Sequence, residues 1–491
     1  MTAPSRDMPL GQVLAGEALP AGAGEIAVTG LTADSRQVAA GFLFVAIPGT
    51  VADGAKFVPD AVAKGAVAVV AAAGAEIAGA GVPVIRVEEA RLALARAAAR
   101  FHGPQPGCVL AVTGTSGKTS VAEFTRQILA HLGMPAASLG TLGVVRPDGA
   151  TYGSLTTPDP VTLHRTLGEL AAAGVTHVAM EASSHGLDQY RLDGVEIAAA
   201  AFTNLGRDHL DYHPTVEDYF RAKMRLFEEL LAPGRPAVVN TDGARAQDVS
   251  AIARRRGHRL ITVGRAGETV RLDGAVADGS GQVLTLGLGG ETVQVRLGLI
   301  GAYQVENALT AAGLAIAAGE APRRVIEALA HLKGVSGRLD VVGEKDGVLV
   351  VVDYAHKPEA LEAALAAVRP FAKGRLVCVF GCGGDRDRGK RAIMGGIAGE
   401  KADLTIVTDD NPRTEEPAAI RREIVAGIGA GARYEEIGDR RQAIMTAVGG
   451  ARAGDVVLIA GKGHETGQIV GKEVLPFSDH EVAKEAMGLV G

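Results

Sequence analysis

Residues 113–120 read Thr113-Gly114-Thr115-Ser116-Gly117-Lys118-Thr119-Ser120. The apolar run Val109-Leu110-Ala111-Val112 precedes them, and a helix-like segment, Val121 to Leu132, follows. Strand, glycine turn and helix in that order predict a phosphate cradle. Glycine lets the backbone turn tightly, so the N–H groups of residues 114–120 can face phosphate oxygens. Lys118 would bring a point charge to the β- and γ-phosphates of a nucleotide, and the hydroxyl of Thr119 would bind Mg²⁺. Only two residues separate Gly114 from Gly117, where the common form of this loop has about four. A plain glycine turn is the competing reading; the strand, the lysine and the threonine in their places count against it.

A second group of candidates lies downstream. Glu181 follows the strand-like His177-Val178-Ala179-Met180. A carboxylate at the carboxyl end of a parallel strand lies at a ligand crevice and suits Mg²⁺; a surface turn is the alternative. The apolar run ending in Phe202 passes straight into Thr203-Asn204-Leu205-Gly206-Arg207-Asp208-His209, and His209 could ligate a metal as neutral imidazole. His213, before Pro214, reads as a turn residue. Thr215 to Leu231 predicts a helix capped by Thr215 with Asp218 at its third position. Val216, Phe220, Lys223, Phe227 and Leu230 share one face of it. A lysine there either snorkels to solvent or is desolvated, and desolvation favours the neutral amine. A neutral amine can add CO₂; the carbamate so formed is an oxygen ligand for Mg²⁺, which an ammonium is not. Residues 410–413, Asp410-Asn411-Pro412-Arg413, allow an ordinary turn, since Asn-Pro is turn chemistry.

These residues need a scaffold, and the chain provides one. Its 491 residues suffice for about three domains, and 47% hydrophobic residues can fill their cores. Short Val/Ala/Ile runs alternate with helix-like stretches, which predicts α/β architecture with parallel sheets. Breaker-rich Phe101 to Gly107 and Gly334 to Arg338 divide the chain. The expected domains are a small α/β domain over 1–102, a central P-loop-type domain over 103–336 and a Rossmann-like domain over 337–491. A net charge of -6 without long runs of one sign speaks against a nucleic-acid surface or a polybasic membrane patch. Lys64 and Glu76 interrupt the alanine-rich stretch Ala61 to Ala78, so no membrane span is expected. Three cysteines, and no basic-then-apolar pattern at Met1 to Pro9, predict a reducing, cytoplasmic location.

Taken together, the strings resemble those of the Mur ligases, ATP-dependent amide-bond-forming enzymes of bacterial cell-wall synthesis, over nearly the whole chain. The short phosphate loop is similar to theirs. Tyr219-Phe220-Arg221-Ala222-Lys223 resembles the family's helix with a carbamylated lysine. Asn307, in Gly301 to Ala308, resembles the residue that meets adenine. Arg338, and Asp353 in Asp353-Tyr354-Ala355-His356-Lys357-Pro358, resemble contacts to the ATP phosphates and ribose. The resemblance is strongest to the branch that adds meso-diaminopimelate to a uridine-diphosphate muramoyl-dipeptide. It implies contacts to that nucleotide from Ser35, Thr50, Val51, Ala52, Thr156, Thr157, Ser183, Gln189 and Arg191. It implies diaminopimelate contacts from Arg386, Asp410, Asn411, Pro412, Arg413, Gly461 and Glu465. Some relatives have an Asn before the paired threonines; here it is Leu155, and no role is carried over.

The resemblance further implies Lys118, His209 and Lys223 as catalytic groups. Mg²⁺ would sit on Thr119 and Glu181, and a second ion on His209 and the Lys223 carbamate. A monomer with closure of the C-terminal domain is expected. Three rivals share parts of the pattern: a lysine-adding ligase of the same family, a folylpolyglutamate synthase, and a nucleotide-switch ATPase without amide product.

Overall fold

The computed structural model describes residues 7–49, 53–77, 79–151 and 155–489. They fall into two compact units, Met1–Val263 with Gly313–Glu320, and Gly264–Ala312 with Ala321–Gly491. The helix Ala302–Ala317 therefore begins in the second unit and ends in the first.

The first unit opens with a four-stranded parallel sheet in the order Gly30–Thr32, Phe42–Ala46, Ala68–Ala72, Val84–Val87. Its strands are apolar on both faces because both are covered, as parallel sheets require. Leu43, Val45, Val70 and Ile85 pack under the helix Ala90–His102. Phe44, Val69 and Ala71 pack against Val58 and Ala61 on the other side. The alanine-rich stretch thus splits into a helix end and a buried strand. Among the described residues no helix is long and apolar enough to cross a membrane.

Helix Ala90–His102 lies against helix Pro160–Ala172. Gly168 permits the approach, since a Cβ there would lie 2.8 Å from the carbonyl oxygen of His102. Asp159 caps the second helix by accepting from Val161 N and Thr162 N, and Pro160 occupies its first turn, where no N–H partner is needed.

The larger sheet of this unit runs in the order Gly149–Thr151, Gly143–Arg146, Ala136–Gly140, His177–Glu181, Cys108–Thr113, Ile197–Phe202, Pro236–Asn240, Arg259–Gly264. The first two strands are antiparallel edges and the rest are parallel. Cys108–Thr113 has His177–Glu181 on one side and Ile197–Phe202 on the other. Register pairs Glu181 with Val112 and Phe202 with Thr113, so three strands end at one level. The chain leaves that level in opposite directions, which opens a crevice at their carboxyl ends.

Two helix expectations shift. The helix after the phosphate loop is Lys118–His131, so Lys118 and Thr119 belong to its first turn. The Thr215 helix is regular only over Val216–Arg225 and continues as a wider π-type turn over Leu226–Leu230. Thr215 caps it as expected, Oγ1 accepting from Asp218 N at 3.1 Å. Val216 is exposed, contrary to its expected place on the apolar face.

The second unit holds an antiparallel meander, Val270–Asp278, Gly281–Leu288, Glu291–Leu297. It also holds a six-stranded sheet, Asp340–Lys345, Val348–Asp353, Val456–Ala460, Leu376–Phe380, Leu404–Val407, Tyr434–Glu436. All but the first of these six strands are parallel. Helices cover both faces, with separate cores around Leu365, Phe380 and Met394 and around Val377, Ile444 and Val482.

Candidate functional site

Candidate residues gather at the carboxyl ends of the parallel strands in each unit. The backbone marks the same places. Among the described residues, seven non-glycine residues have left-handed φ angles. His209 (54°) and Arg413 (51°) are themselves candidates, while Tyr190, Leu339 and Asp385 each adjoin one. Such conformations cost about 1–3 kcal/mol and persist where the surroundings over-determine them.

In the first unit the phosphate loop is braced by the segment leaving the neighbouring strand. Thr115 N donates to Asn204 O at 2.9 Å and Ser116 N to Asn204 Oδ1 at 3.0 Å. Thr203 Oγ1 donates to Ser116 O at 2.7 Å, and Gly206 N donates to Thr115 Oγ1 at 2.8 Å. Gly114, at φ 147°, could not carry a side chain; a Cβ would overlap Thr203 Oγ1. Two lysines converge on one carbonyl here. Lys118 Nζ donates to Gly114 O at 3.0 Å and to Thr115 O at 2.8 Å, while Lys223 Nζ donates to Gly114 O at 2.8 Å.

Lys223 is 1% exposed, so snorkelling is ruled out. Its ammonium lies 4.2 Å from the centre of the Tyr219 ring. Burial, then the like charge of Lys118, hold its pKa well below the ordinary lysine value, with Asp208 opposing. Burial thus works against the charged form. Glu181 is buried too, which overturns the surface-turn alternative; one of its oxygens accepts Thr141 N at 2.7 Å. Thr119 is nearly buried in the adjacent first turn. A threonine hydroxyl and a carboxylate are the hard oxygen donors that Mg²⁺ takes. Among the described residues no three His, Cys, Asp or Glu side chains are clustered to hold a metal.

His209 keeps company that the sequence reading did not foresee. Its ring meets His185 edge-on at 4.8 Å between centres, and His185 stacks on Tyr212 at 4.1 Å. His213, read as a turn residue, is buried in the same cluster, 5.3 Å from Tyr219. Burial lowers the pKa of both His185 and His213. The clue was available: four aromatic or imidazole residues fall between 209 and 219.

Thr157 lies beneath this crevice. Its hydroxyl donates to Glu181 O at 3.0 Å and accepts from Ser183 N at 3.1 Å. Arg191 donates to Thr157 O at 2.7 Å and to Gln189 Oε1 at 2.8 Å, and Gln189 reaches Tyr212 Oη at 3.2 Å. Thr156 Oγ1 is 3.0 Å from Thr141 Oγ1. Gln189 and Arg191 line a cleft of about 540 Å³, together with Thr32, Asp34, Arg91 and Leu155. That volume suits a small-molecule ligand. Ser35 is buried beside Asp34. Thr50, Val51 and Ala52 lie outside the described residues.

In the second unit Asp353 ends a strand and is buried. Its oxygens accept from Leu339 N at 2.7 Å and Ala355 N at 2.8 Å, and burial raises its pKa. Arg338 stacks over Tyr354 at 5.2 Å, and its carbonyl accepts from Gln304. Asn307, one turn on, donates to Gln304 Oε1 at 3.0 Å.

The 410–413 turn is built into a network. Arg413 N donates to Ile469 O at 3.0 Å and Gly471 N to Arg413 O at 2.7 Å, while Arg413 Nη1 donates to Gly384 O at 2.8 Å. Asn411 Oδ1 accepts from Lys462 Nζ and Ile469 N, and its Nδ2 donates to Glu465 Oε2, each at 2.9 Å. Burial would raise the carboxyl of Glu465, but Lys462 and Asn411 outweigh it and hold it low. Burial raises Asp410. Gly461 leaves room for it, since a Cβ there would stand 2.7 Å from Asp410 Oδ2. Arg386 is exposed. Lys462, fully buried, was missed, although it stands inside Gly461 to Glu465.

Three family models match successive parts of the chain. Residues 27–102 match the model "Mur ligase family, catalytic domain", 112–315 "Mur ligase middle domain", and 337–463 "Mur ligase, glutamate ligase domain". The chain is 56% identical over 469 residues to the UDP-N-acetylmuramoyl-L-alanyl-D-glutamate–2,6-diaminopimelate ligase of Brucella melitensis, covering 95% of this chain and 96% of that one. It is 56% identical to the like-named protein of Rhizobium meliloti, covering 95% of each. A solved structure titled as the same ligase superposes with a TM-score of 0.77 at 33% identity over 99% of both chains. With its parallel sheets, its three matched segments and its short phosphate loop, the chain belongs to the Mur ligase family.

Proposed function

We propose that this protein joins meso-diaminopimelate to the D-glutamate of UDP-N-acetylmuramoyl-L-alanyl-D-glutamate, using ATP, in the making of peptidoglycan precursor. The reading of the amino acid is carried by Arg413, a guanidinium held in a strained turn beside the chain segment that bears Arg386. Diaminopimelate differs from lysine by one distal carboxylate, and a planar guanidinium in fixed geometry is the group that reads a carboxylate. Arg386 would take the carboxylate near the reacting amine. Asp410, Asn411 and Glu465 would receive the distal amino group, while Pro412 and Gly461 shape the pocket.

A carboxylate is a poor acyl donor. Transfer of the γ-phosphoryl of ATP to the γ-carboxylate of the glutamate gives an acyl phosphate and ADP. The amine then attacks the acyl carbon, loses a proton, and phosphate leaves. Residues 114–120 would cradle the ATP phosphates, with the ammonium of Lys118 on the β- and γ-groups. Asn307, Arg338 and Asp353 would hold adenine, phosphates and ribose. Thr157, Ser183, Gln189 and Arg191 would hold the muramoyl-dipeptide, with Thr156 beside them and Ser35 and residues 50–52 on the uridine side. Mg²⁺ on Thr119 and Glu181, and a second ion on His209 and Lys223 as its carbamate, would supply charge neutralisation. Positioning and electrostatics account for most of the rate.

The test offers ATP and the muramoyl-dipeptide nucleotide with diaminopimelate or L-lysine, each alone, and weighs the product. The diaminopimelate adduct with stoichiometric ADP is expected. Equal turnover of L-lysine would sink the proposed choice, and ADP release without either co-substrate would point to a nucleotide switch.

A further inference from the structure

Arg391 heads the largest fully buried side chains among the described residues, yet nothing so far gives it a task. It stands in the first turn of helix Gly389–Lys401. Burying a guanidinium costs several kcal/mol, about as much as its partners can return, so its surroundings should say why it is there. Nη1 donates to Glu415 Oε2 and Glu423 Oε2, both at 2.9 Å. Nη2 donates to Glu415 Oε1 at 2.8 Å and to Gly383 O at 3.3 Å. The pairing with Glu415 is bidentate, which fixes orientation as well as distance.

The partners sort by position. Gly383 lies on the segment that carries Arg386. Glu415 lies two residues beyond Arg413, and it also accepts Asp385 N at 2.6 Å. Thr414 adds a parallel tie, its Oγ1 donating to Asp385 Oδ1 at 2.8 Å and its N to Oδ2 at 3.1 Å. One guanidinium therefore fastens two chain segments that are distant in sequence, and each holds a left-handed residue, Asp385 and Arg413. Glu423, on helix Pro417–Val425, lies on neither segment; it holds the same guanidinium and also accepts from Arg388, two residues beyond Arg386.

We infer that Arg391 is a positioning residue for amino-acid selection: through Glu415 and Gly383 it sets the separation of Arg386 and Arg413, and so the separation of the two carboxylates the site accepts. The inference rests on the proposed roles of those two arginines. A ligand with a carboxylate at each end is chosen by length, and two loosely held cations cannot measure length.

The experiment compares Glu415→Gln with Glu423→Gln in the full-length enzyme, alongside Arg391→Lys and Arg413→Ala. Each Gln variant removes one carboxylate from the same guanidinium, but of the two only Glu415 ties the selector segments to each other, while Glu423 ties Arg388 to helix Pro417–Val425. The readouts are kcat/KM for diaminopimelate and for L-lysine, and KM for ATP. Glu415→Gln and Arg391→Lys should lower the diaminopimelate-to-lysine ratio by about tenfold or more, mainly through KM for diaminopimelate, with KM for ATP unchanged. Glu423→Gln should keep the ratio. An unchanged ratio in Glu415→Gln, or an equal loss in Glu423→Gln, overturns the inference. Should Arg391→Lys not fold, the two Gln variants decide. Arg413→Ala separates the two failures: if it leaves the ratio intact, the selector reading itself falls, and if it alone collapses the ratio, only the positioning role falls.

Discussion

The phosphate loop and the 410–413 turn are both ligand sites at strand ends, yet they are held in opposite ways. The loop is one contiguous stretch, fastened mainly by backbone groups and the short side chains of Thr203 and Asn204. Glycine relieves its left-handed conformations, at Gly114 and Gly117. The selector turn draws on four separate segments and is fastened by buried charges: Arg391 to Glu415, Lys462 to Glu465, and Arg440 to Asp479 at 2.7 Å with neither side chain exposed. Beside left-handed glycines at Gly461, Gly463 and Gly471, it holds left-handed Asp385 and Arg413, where no glycine relieves the conformation. A cradle for phosphate needs only converging N–H groups, and a local turn supplies them. A site that must tell one dicarboxylic amino acid from a monocarboxylic one needs cations at set positions, and rigid supports add to the cost of each.

The contrast breaks first at Lys223. There a buried amine shares its acceptor, Gly114 O, with Lys118. If it serves as a carbamate, Lys223→Ala should lower kcat by about 10²–10³-fold, the scale of a lost transition-state electrostatic contact. Acetate or formate should restore part of the rate, by placing a carboxylate where the carbamate stood. A fully active alanine variant without added acid would remove the carbamate from the mechanism and leave Lys223 a structural prop.

Arg413→Ala probes the other side. Losing charge-assisted hydrogen bonds worth about 1.5–3 kcal/mol should raise KM for diaminopimelate by about 10- to 100-fold. KM for ATP should stay put. A parallel rise in both constants would mean that Arg413 only supports the fold.

Gly114→Ala sharpens the comparison from the loop's side. The new methyl would overlap Thr203 Oγ1 and stand 3.1 Å from Asn204 N and O. The φ of 147° adds strain of about 1–3 kcal/mol. Nucleotide affinity, read by titration with ADP, should fall more than the melting temperature suggests, because the distortion centres on the cradle. Unchanged ADP binding would show that the loop is not held as rigidly as its hydrogen bonds imply.

What could be read from the sequence follows the same divide. The phosphate loop, the Thr215 cap and the alternation of strand and helix were legible because each is written in neighbouring residues. Helical periodicity put Lys223 on the apolar face, but it could not show that Gly114 O and the Tyr219 ring would enclose it, since both come from the tertiary arrangement. It also put Val216 on that face, where the fold leaves it exposed. His185 stayed unmarked because its partners at 209, 212 and 213 sit across a strand crossing. Nothing in the neighbouring residues sets Arg391 or Lys462 apart from a surface cation. Only packing shows that they are fully buried and what they tie together.

The smallest expected effect concerns stability rather than catalysis, and it probes the junction of helices Ala90–His102 and Pro160–Ala172 rather than either ligand site. His102 ends helix Ala90–His102, and its Nε2 is buried without a hydrogen-bond partner among the described residues. Burial first, then Arg165 and His164, lower its pKa to about 4 from 6.5. The folded state therefore resists the proton that the unfolded state accepts. Above pH 6.5 both states are neutral there and the group contributes its full stability. Between 6.5 and about 4 the unfolded state binds more protons, so stability falls as pH falls; below about 4 both states are protonated and the loss levels off. His102→Gln removes the titration. Urea midpoints at pH 7.5, 6.5, 5.5 and about 4.5 should decline less steeply for the variant, while other buried histidines, such as His164 and His213, still give it a slope. Identical slopes would place His102 in contact with water in the folded state, and the helix junction at Gly168 would then be looser than its close packing indicates.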